Sequence, residues 1–186
     1  MYKNLLRHNK RLFIATIVSG VLSYFGVEAL HGPLSAVPGA ETSGTYFPGF
    51  IFGLLVFAPR IMAKRYRLAR QIAAVAMSTA LYFLAIQLGV FLAIGLNVPA
   101  SVAGTAAAMA SALALYAVAL WLVPMRSDTD TWRKVSIFGA LGGAILGIPT
   151  GGDTPKVLEF GVVLLGLLTW QVGVGVSVFR HSSSSK

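Results

Sequence analysis

The sequence predicts an all-α integral membrane protein: a six-transmembrane-helix bundle with both termini on the cytoplasmic side and a long outer loop between helices 1 and 2. Three observations predict it, namely the composition, six long apolar runs and the placement of the cations. Of the 186 residues, 56% are apolar and only 11% are charged, whereas soluble domains carry about 45–50% apolar and about 25% charged residues. Because so little polar sequence is left to cover a soluble core, we predict a single polytopic membrane domain over residues 1–186.

Six apolar runs account for most of the chain. A helix that crosses the hydrocarbon core of a bilayer needs about 20 apolar residues. The third and fourth runs meet this length most clearly, whereas the fifth is short and rich in glycine. The first run follows basic residues, as in a signal peptide, but it is longer than a typical signal-peptide core and no small-x-small cleavage motif follows it, so we expect a retained helix. The predicted spans are Leu12–Leu30, Tyr46–Ala63, Gln71–Ile94, Pro99–Val123, Val135–Ile148 and Val157–Phe179.

The cations give the predicted orientation. Fourteen of the 15 Lys and Arg residues lie at the two termini or in the connections between spans 2 and 3 and between spans 4 and 5. Only Lys156 lies on the other side, together with four of the six carboxylates. Since loops rich in Lys and Arg stay cytoplasmic, this bias predicts a multi-pass protein of the cytoplasmic (inner) membrane. No nucleic-acid partner is expected, because the basic residues form short collars at helix ends rather than one exposed face.

The strongest of these collars is the segment RIMAKRYRLAR at residues 60–70. Arg60, Lys64 and Arg67 recur in it at helical spacing, so they are predicted to share one face. A basic collar beside a membrane span can hold anionic lipid head groups, or it can serve only to anchor the orientation of the bundle. We predict contact with the lipid bilayer here and leave both roles open.

Small residues recur within the spans at a spacing that predicts close helix packing. Gly139, Gly143 and Gly147 are four residues apart and therefore lie on one face of the fifth span. Membrane helices associate closely at such faces, so this face is predicted to pack within the chain or to hold a homo-oligomer or a partner membrane subunit together. Polar side chains inside the spans are predicted to form hydrogen bonds between helices: Ser78, Tyr82, Gln87, Thr169 and Gln171.

A candidate binding site lies at the outer end of the predicted bundle. Tyr24, Glu28 and His31 are spaced i, i+4 and i+7, which places them on one face near the end of the first span. Carboxylates and one lysine recur near the neighbouring span ends, and ionisable groups in or near a span indicate function by default. The predicted solute-binding residues are Tyr24, Glu28, His31, Glu41, Asp153, Lys156 and Glu159.

No catalytic chemistry is indicated by the sequence. The chain has no cysteine, which excludes disulfides and thiolate metal sites. The nucleophile-elbow, zinc-protease and phosphate-loop motifs are also absent from the sequence. We therefore expect no enzyme activity and predict no catalytic residue, metal site or cofactor.

Two functions fit these features. In size and topology the chain is similar to the substrate-binding subunits of energy-coupling-factor vitamin transporters, and this likeness implies that such a frame can hold a small solute under its outer loops. The leading hypothesis is a solute-binding or transport subunit with an outward-facing polar site. The alternative is a non-transporting membrane partner with an immunity, defence, assembly or sensory role, which would act through contacts between helices.

Overall fold

A computed structural model of the chain describes residues 2–31, 40–61, 67–123, 125, 127–148 and 156–179. The described residues form six α-helices and no strand. Two of the helices continue as tighter or wider turns: α2 through a π-helical turn at Gly53–Phe57 and a 3-10 turn at Ala58–Arg60, and α3 through a π-helical turn at Phe91–Gly95. The helices are α1 (Tyr2–His31), α2 (Ala40–Phe52), α3 (Arg67–Val90), α4 (Ala100–Leu122), α5 (Thr129–Leu146) and α6 (Lys156–Phe179).

Within the described ranges, four helical stretches are long and apolar enough to cross a membrane. They are Lys10–His31, Arg67–Gly95, Ala100–Leu122 and Leu158–Phe179, and a shorter apolar stretch runs over Tyr46–Arg60. The fifth helix has 18 residues, which gives a length of about 27 Å. The described residues are therefore almost entirely helical, and several of their helices are apolar and long enough to be compatible with a membrane protein.

The helices pack in sequence order into a ring, in which each helix contacts the next and α6 returns to α1. Neighbouring helices are antiparallel: along α5 the contact with α4 moves from Ala112 at Gly139 back to Ala100 at Gly147. We call the end where α3 and α5 begin the basic end, because Arg67 and Arg133 lie there. The opposite end, where α4 and α6 begin, is the distal end.

The buried apolar side chains fill the middle of the ring and its basic half. Phe57 of α2 and Phe179 of α6 have ring centroids 5.3 Å apart, and Tyr116 of α4 meets Trp132 of α5 edge to face at 4.6 Å. The same cluster includes Leu12, Phe52, Val56, Ile61, Leu115, Ala119, Val135, Val174 and Val178. Small residues take over toward the distal end, so the ring is less completely filled there.

Local signals explain both short connections beside α4. Asp128 caps α5, since its carboxylate accepts hydrogen bonds from the Thr131 backbone N–H at 2.8 Å and the Thr131 hydroxyl at 2.5 Å. The turn between α3 and α4 has Asn97 at a φ of 53°, a left-handed conformation that asparagine tolerates better than most residues. Pro99 then occupies the N-cap of α4.

Helices α1 and α2 begin earlier than the sequence predicts: α1 begins at Tyr2 rather than Leu12, and α2 begins at Ala40 rather than Tyr46. The connection from α1 to α2 therefore covers residues 32–39, and the long outer loop was wrongly predicted. Glycines and Pro48 favour a loop in water, but neighbouring helices stabilise the backbone of a proline-containing membrane helix. Gly49 shows this packing, because a Cβ there would lie 2.7 Å from the Ser78 carbonyl oxygen of α3.

Candidate functional site

A cavity of about 330 Å³ lies between α3, α4, α5 and α6 in the distal half of the ring. Small residues create the space, since Gly89, Gly104 and Ala107 leave room where larger side chains would meet. The rest of the wall is apolar and includes Ile86 and Leu167, and no charged side chain lines the cavity among the described residues. The wall therefore suits an uncharged molecule.

Aromatic side chains close the cavity on the side of the basic half. Trp170 of α6 and Tyr82 of α3 both line it, with ring centroids 6.0 Å apart and the ring planes nearly perpendicular. Behind them Phe52 of α2 meets Trp170 at 5.6 Å. The indole N–H of Trp170 donates to the Ala108 carbonyl of α4 at 3.2 Å. Trp170 thus contacts three other helices and fixes the depth of the cavity.

Two hydroxyl groups provide polarity in this apolar wall. Tyr82 and Ser111 both line the cavity. In the part of the chain that the structure describes, the Tyr82 hydroxyl makes no hydrogen bond, whereas the nearby Trp170 N–H is already used by Ala108. A few convergent polar groups in an apolar pocket are what fix the orientation of a bound small molecule. Tyr82 was predicted as a helix–helix hydrogen-bonding residue, and the structure places it at the cavity instead.

The glycine face of α5 packs directly against α4 beside the cavity. A Cβ on Gly147 would lie 2.5 Å from the Ala100 carbonyl oxygen, and one on Gly139 would lie 2.8 Å from the Ala112 Cβ. Gly143 is in equally close contact with the Gly104 backbone. The three predicted glycines therefore lie in an α4–α5 contact inside one chain, while a role in oligomers or partner binding stays a prediction.

The predicted outer residues fall into two groups. The Tyr24 hydroxyl lies near the Glu28 carboxylate with Glu159 close by, and the Tyr24 ring packs edge to face on Phe160 of α6 at 4.6 Å. His31 is brought to α2 instead, because a Cβ on Gly44 would lie 2.7 Å from the His31 Cδ2. The structure thus brings Tyr24, Glu28 and Glu159 together between α1 and α6.

The remaining predicted binding residues have no described side chains. Glu41 and Lys156 lie in the first turns of α2 and α6, and Asp153 lies outside the described residues, as does Lys64 of the basic collar. None of the predicted binding residues that the structure does describe lines the cavity. Among the described residues there is also no group of three His, Asp or Glu side chains placed to hold a metal ion.

A polar seam between α1 and α6 was missed in part by the sequence analysis. Thr16, Ser19 and Ser23 of α1 are fully buried, as is Gln171 of α6. The Gln171 Nε2 donates to the Ser23 Oγ at 2.9 Å, which confirms the predicted hydrogen bonding of Gln171 between helices. The available signal was the i, i+3, i+7 spacing of the three hydroxyl residues along one face of the first span.

The other predicted polar contacts differ in outcome. Ser78 of α3 is buried and donates to the Gly49 carbonyl of α2 at 2.8 Å, so its predicted role between helices is confirmed. Gln87 is exposed on the surface of α3. Arg67 is exposed at the start of α3, and Arg60 is partly buried at the end of the α2 segment. Arg60 and Arg67, the two described residues of the three predicted to contact lipid, therefore flank the same end of the α2–α3 pair.

Replacing Ser23 with alanine is expected to destabilise the fold by about 1 kcal/mol. The Gln171 amide would lose its hydrogen-bond acceptor, and within the described residues its Oε1 already lacks a partner. A buried amide with neither end satisfied opposes folding in an apolar environment. Reversible unfolding of the purified chain in mixed micelles would measure the change.

The double variant Ser23→Ala with Gln171→Leu is the control for this prediction. Removing both partners takes away the buried polar groups together, so the stability should return to within about 0.5 kcal/mol of wild type. If the double variant is instead less stable than Ser23→Ala alone, the amide contributes through packing and the hydrogen bond is not the cause.

Two features are thus candidate sites: the apolar cavity with the Tyr82 and Ser111 hydroxyls, and the cluster of Tyr24, Glu28 and Glu159 at the distal end. The cavity has space for a small molecule and no charged lining residue among those described. The cluster has two carboxylates at the distal end of the bundle. Compared with known proteins, the chain matches no family model, no curated protein and no solved structure.

Proposed function

We propose that this protein is a membrane-embedded solute-binding or transport subunit, and that its solute occupies the cavity between α3, α4, α5 and α6. The single observation that carries the proposal is this cavity of about 330 Å³ with an uncharged wall. The solute is a small, mainly apolar molecule with one hydrogen-bonding group. The carboxylates in the sequence predicted a polar solute. The ligand that we propose from the cavity is instead mainly apolar.

The volume supports a small ligand. Pockets that hold small molecules have volumes of about 300–1,000 Å³, and an apolar cavity of about 150 Å³ binds benzene or xenon. The cavity of about 330 Å³ therefore suits a molecule of one or two rings. An apolar ligand also reaches such a site readily, because it partitions into the bilayer that surrounds the helices.

The wall supports one polar group on the ligand. Tyr82 of α3 and Ser111 of α4 both line the cavity, and each has one hydroxyl. Each can donate or accept a hydrogen bond. A ligand without such a group would leave them unsatisfied in an apolar space, which is unfavourable.

The proposal includes six spans with both termini on the cytoplasmic side. Antiparallel packing of the six described helices and the bias of the cations toward one side support this topology. The distal end would then be the outer side, so the cavity would lie in the outer half of the membrane. The cluster of Tyr24, Glu28 and Glu159 would lie at the outer surface, where its contact with a solute stays a prediction.

Phenol and benzene are the probes that test the proposal, because they differ by one hydroxyl. At saturating free concentration phenol is expected to raise the Tm of the purified chain by about 2–4 °C for each kcal/mol of binding energy, and benzene by less. The variant Tyr82→Phe should remove the difference between the probes. A wild-type chain that neither probe stabilises would contradict the proposed function.

Filling the cavity through Gly89→Leu is expected to raise the Tm and abolish the response to both probes. The Cβ at this position meets only the Ala107 Cβ, at an ordinary 3.6 Å, so the leucine can enter the cavity without moving a backbone. Replacing a glycine in a helix also stabilises it by about 0.5–1 kcal/mol. The thermal melt with and without probe measures both effects.

Gly161→Leu is the matched control, because it is the same substitution in a helix with nothing within 4 Å of the Cβ. It should give the stabilisation that any glycine replacement gives and keep the full response to phenol. Equal loss of the probe response in both leucine variants would mean that the probes bind elsewhere on the apolar surface.

A further inference from the structure

A second large space lies on the outside of the ring, where α2 and α3 separate from each other. This groove has a volume of about 1180 Å³ and runs along α3 from Arg67 to Leu84. These residues span about 26 Å along the helix, which is most of the thickness of the hydrocarbon core of a bilayer. Its rims carry exposed apolar side chains such as Leu54 and Ile72. The groove is separate from the solute cavity, since the two have no lining residue in common.

The polar groups of the groove are concentrated at one end. Arg67 and Gln71 lie one turn apart on α3 at the basic end, while the wall beyond them is formed by residues such as Val75, Ala76 and Phe83. Two other lining residues have hydroxyls: Thr79, whose hydroxyl donates to the Val75 carbonyl at 2.8 Å, and Tyr46, whose ring stacks on Phe83 at 4.6 Å. Arg67 is the only charged lining residue among those the structure describes. The groove is therefore cationic at one end and uncharged and mainly apolar along the rest.

The sequence around Arg67 strengthens this polarity. Five cations and no acid occur between residues 60 and 70. An anion bound at this end is therefore not repelled by a negative side chain of this segment. Gln71 donates its Nε2 to the Ala58 carbonyl at 3.2 Å, which holds the end of the α2 segment against α3 and fixes the width of the groove there.

We infer that this groove binds one anionic phospholipid, with its phosphate at Arg67 and an acyl chain along Ile72, Val75 and Ala76. The charge distribution of the groove is complementary to that of such a lipid. The lipid has its negative charge on the phosphate at one end and hydrocarbon chains along the rest. The guanidinium binds phosphate oxygens in a fixed forked geometry. The basic end faces the cytoplasm in the proposed topology, so the lipid belongs to the leaflet whose anionic head groups attract basic collars.

Native mass spectrometry of the full chain released from detergent tests this inference. The probes are phosphatidylglycerol and phosphatidylcholine with identical acyl chains, and glycerol 3-phosphate as a head group without chains. We expect the chain to retain one phosphatidylglycerol, to bind phosphatidylcholine about fivefold more weakly, and to bind no glycerol 3-phosphate. Tight binding of glycerol 3-phosphate alone would overturn the lipid assignment in favour of a free phosphate site.

Variants separate the head-group contact from the chain contact. Arg67→Gln should weaken binding of phosphatidylglycerol about fivefold and weaken phosphatidylcholine less, because the choline cation already offsets the charge of its phosphate. Ala76→Trp fills the groove from an exposed position and should weaken binding of both lipids. The matched controls lie on the exposed surface of α5 at the basic end, outside the groove: Arg133→Gln and Ile137→Trp. Both controls should bind the lipids as wild type does.

Three outcomes would overturn the inference. If Arg133→Gln weakens phosphatidylglycerol binding as much as Arg67→Gln, the lipid is held by the general charge of the basic end. If Ala76→Trp leaves lipid binding unchanged, the groove is not the site. If Ala76→Trp instead abolishes a dimer in the mass spectrum, a helix of a second copy occupies the groove. Each result is independent of whether phenol binds the inner cavity.

Discussion

Replacing Gly143 with leucine is expected to destabilise the fold by about 3 kcal/mol or more, which lowers the Tm by about 6–12 °C for a chain of this size. A Cβ at this position would lie 2.6 Å from the Ala108 Cβ and 2.7 Å from the Gly104 carbonyl carbon. Backbone atoms cannot move aside as a flexible side chain can, so α4 and α5 must separate. The contacts of Gly139 and Gly147 with α4 would be lost in the same movement.

A thermal melt in detergent measures this effect, and three comparisons make it specific. Gly143→Ala should lower the stability by an intermediate amount, because its Cβ already meets α4. Gly161→Leu should not lower it, since that Cβ has open space. If Gly143→Leu melts like wild type but reduces the mass of an oligomer, the glycine face joins separate chains and the α4–α5 contact does not hold the fold.

The helices were predictable because the bilayer imposes a length on apolar segments. For α3, α4 and α6, whose apolar runs coincide with the helices, the predicted boundaries are within four residues of the observed ones. The start of α5 was missed because its first turn, from Thr129, is polar and is stabilised by the Asp128 cap. The start of α2 was missed because its glycines and Pro48 favour a helix only against the surfaces of α1 and α3.

The candidate site was predictable only where residues share one helix. The spacing of residues along one helix predicted that Tyr24 and Glu28 share a face, and that the three glycines of α5 share a face. This spacing does not predict which neighbouring helix packs against each face. The cavity had no signal in the sequence. Its space results from small residues on separate helices, such as Gly89 and Ala107, and small residues in a membrane helix predict close packing as readily as a void.

Replacing Trp170 with alanine is expected to have the second large effect, a loss of about 3–5 kcal/mol. The indole is only 5% exposed and contacts Phe52 and Tyr82 edge to face. Its loss would join the cavity between α3, α4, α5 and α6 to a new void in the core, and the surrounding helices can fill that space only in part. Trp170→Phe keeps one ring and loses the hydrogen bond to Ala108 and part of the indole volume, so a smaller loss of about 2 kcal/mol is expected.

Trp121→Ala is the matched control, because it removes the same side chain from a position that is 73% exposed, and it should change the Tm by little in detergent. Indole added to Trp170→Ala should restore part of the lost stability, since it has the shape of the deleted group, and it should not stabilise Trp121→Ala. If both alanine variants melt alike, Trp170 does not bridge the ring. Trp170→Ala could also be unstable while indole has no effect. This result would mean that the helices have closed on the void, so that the contacts of α6 with α2 and α4 are not rigid enough to hold the cavity open.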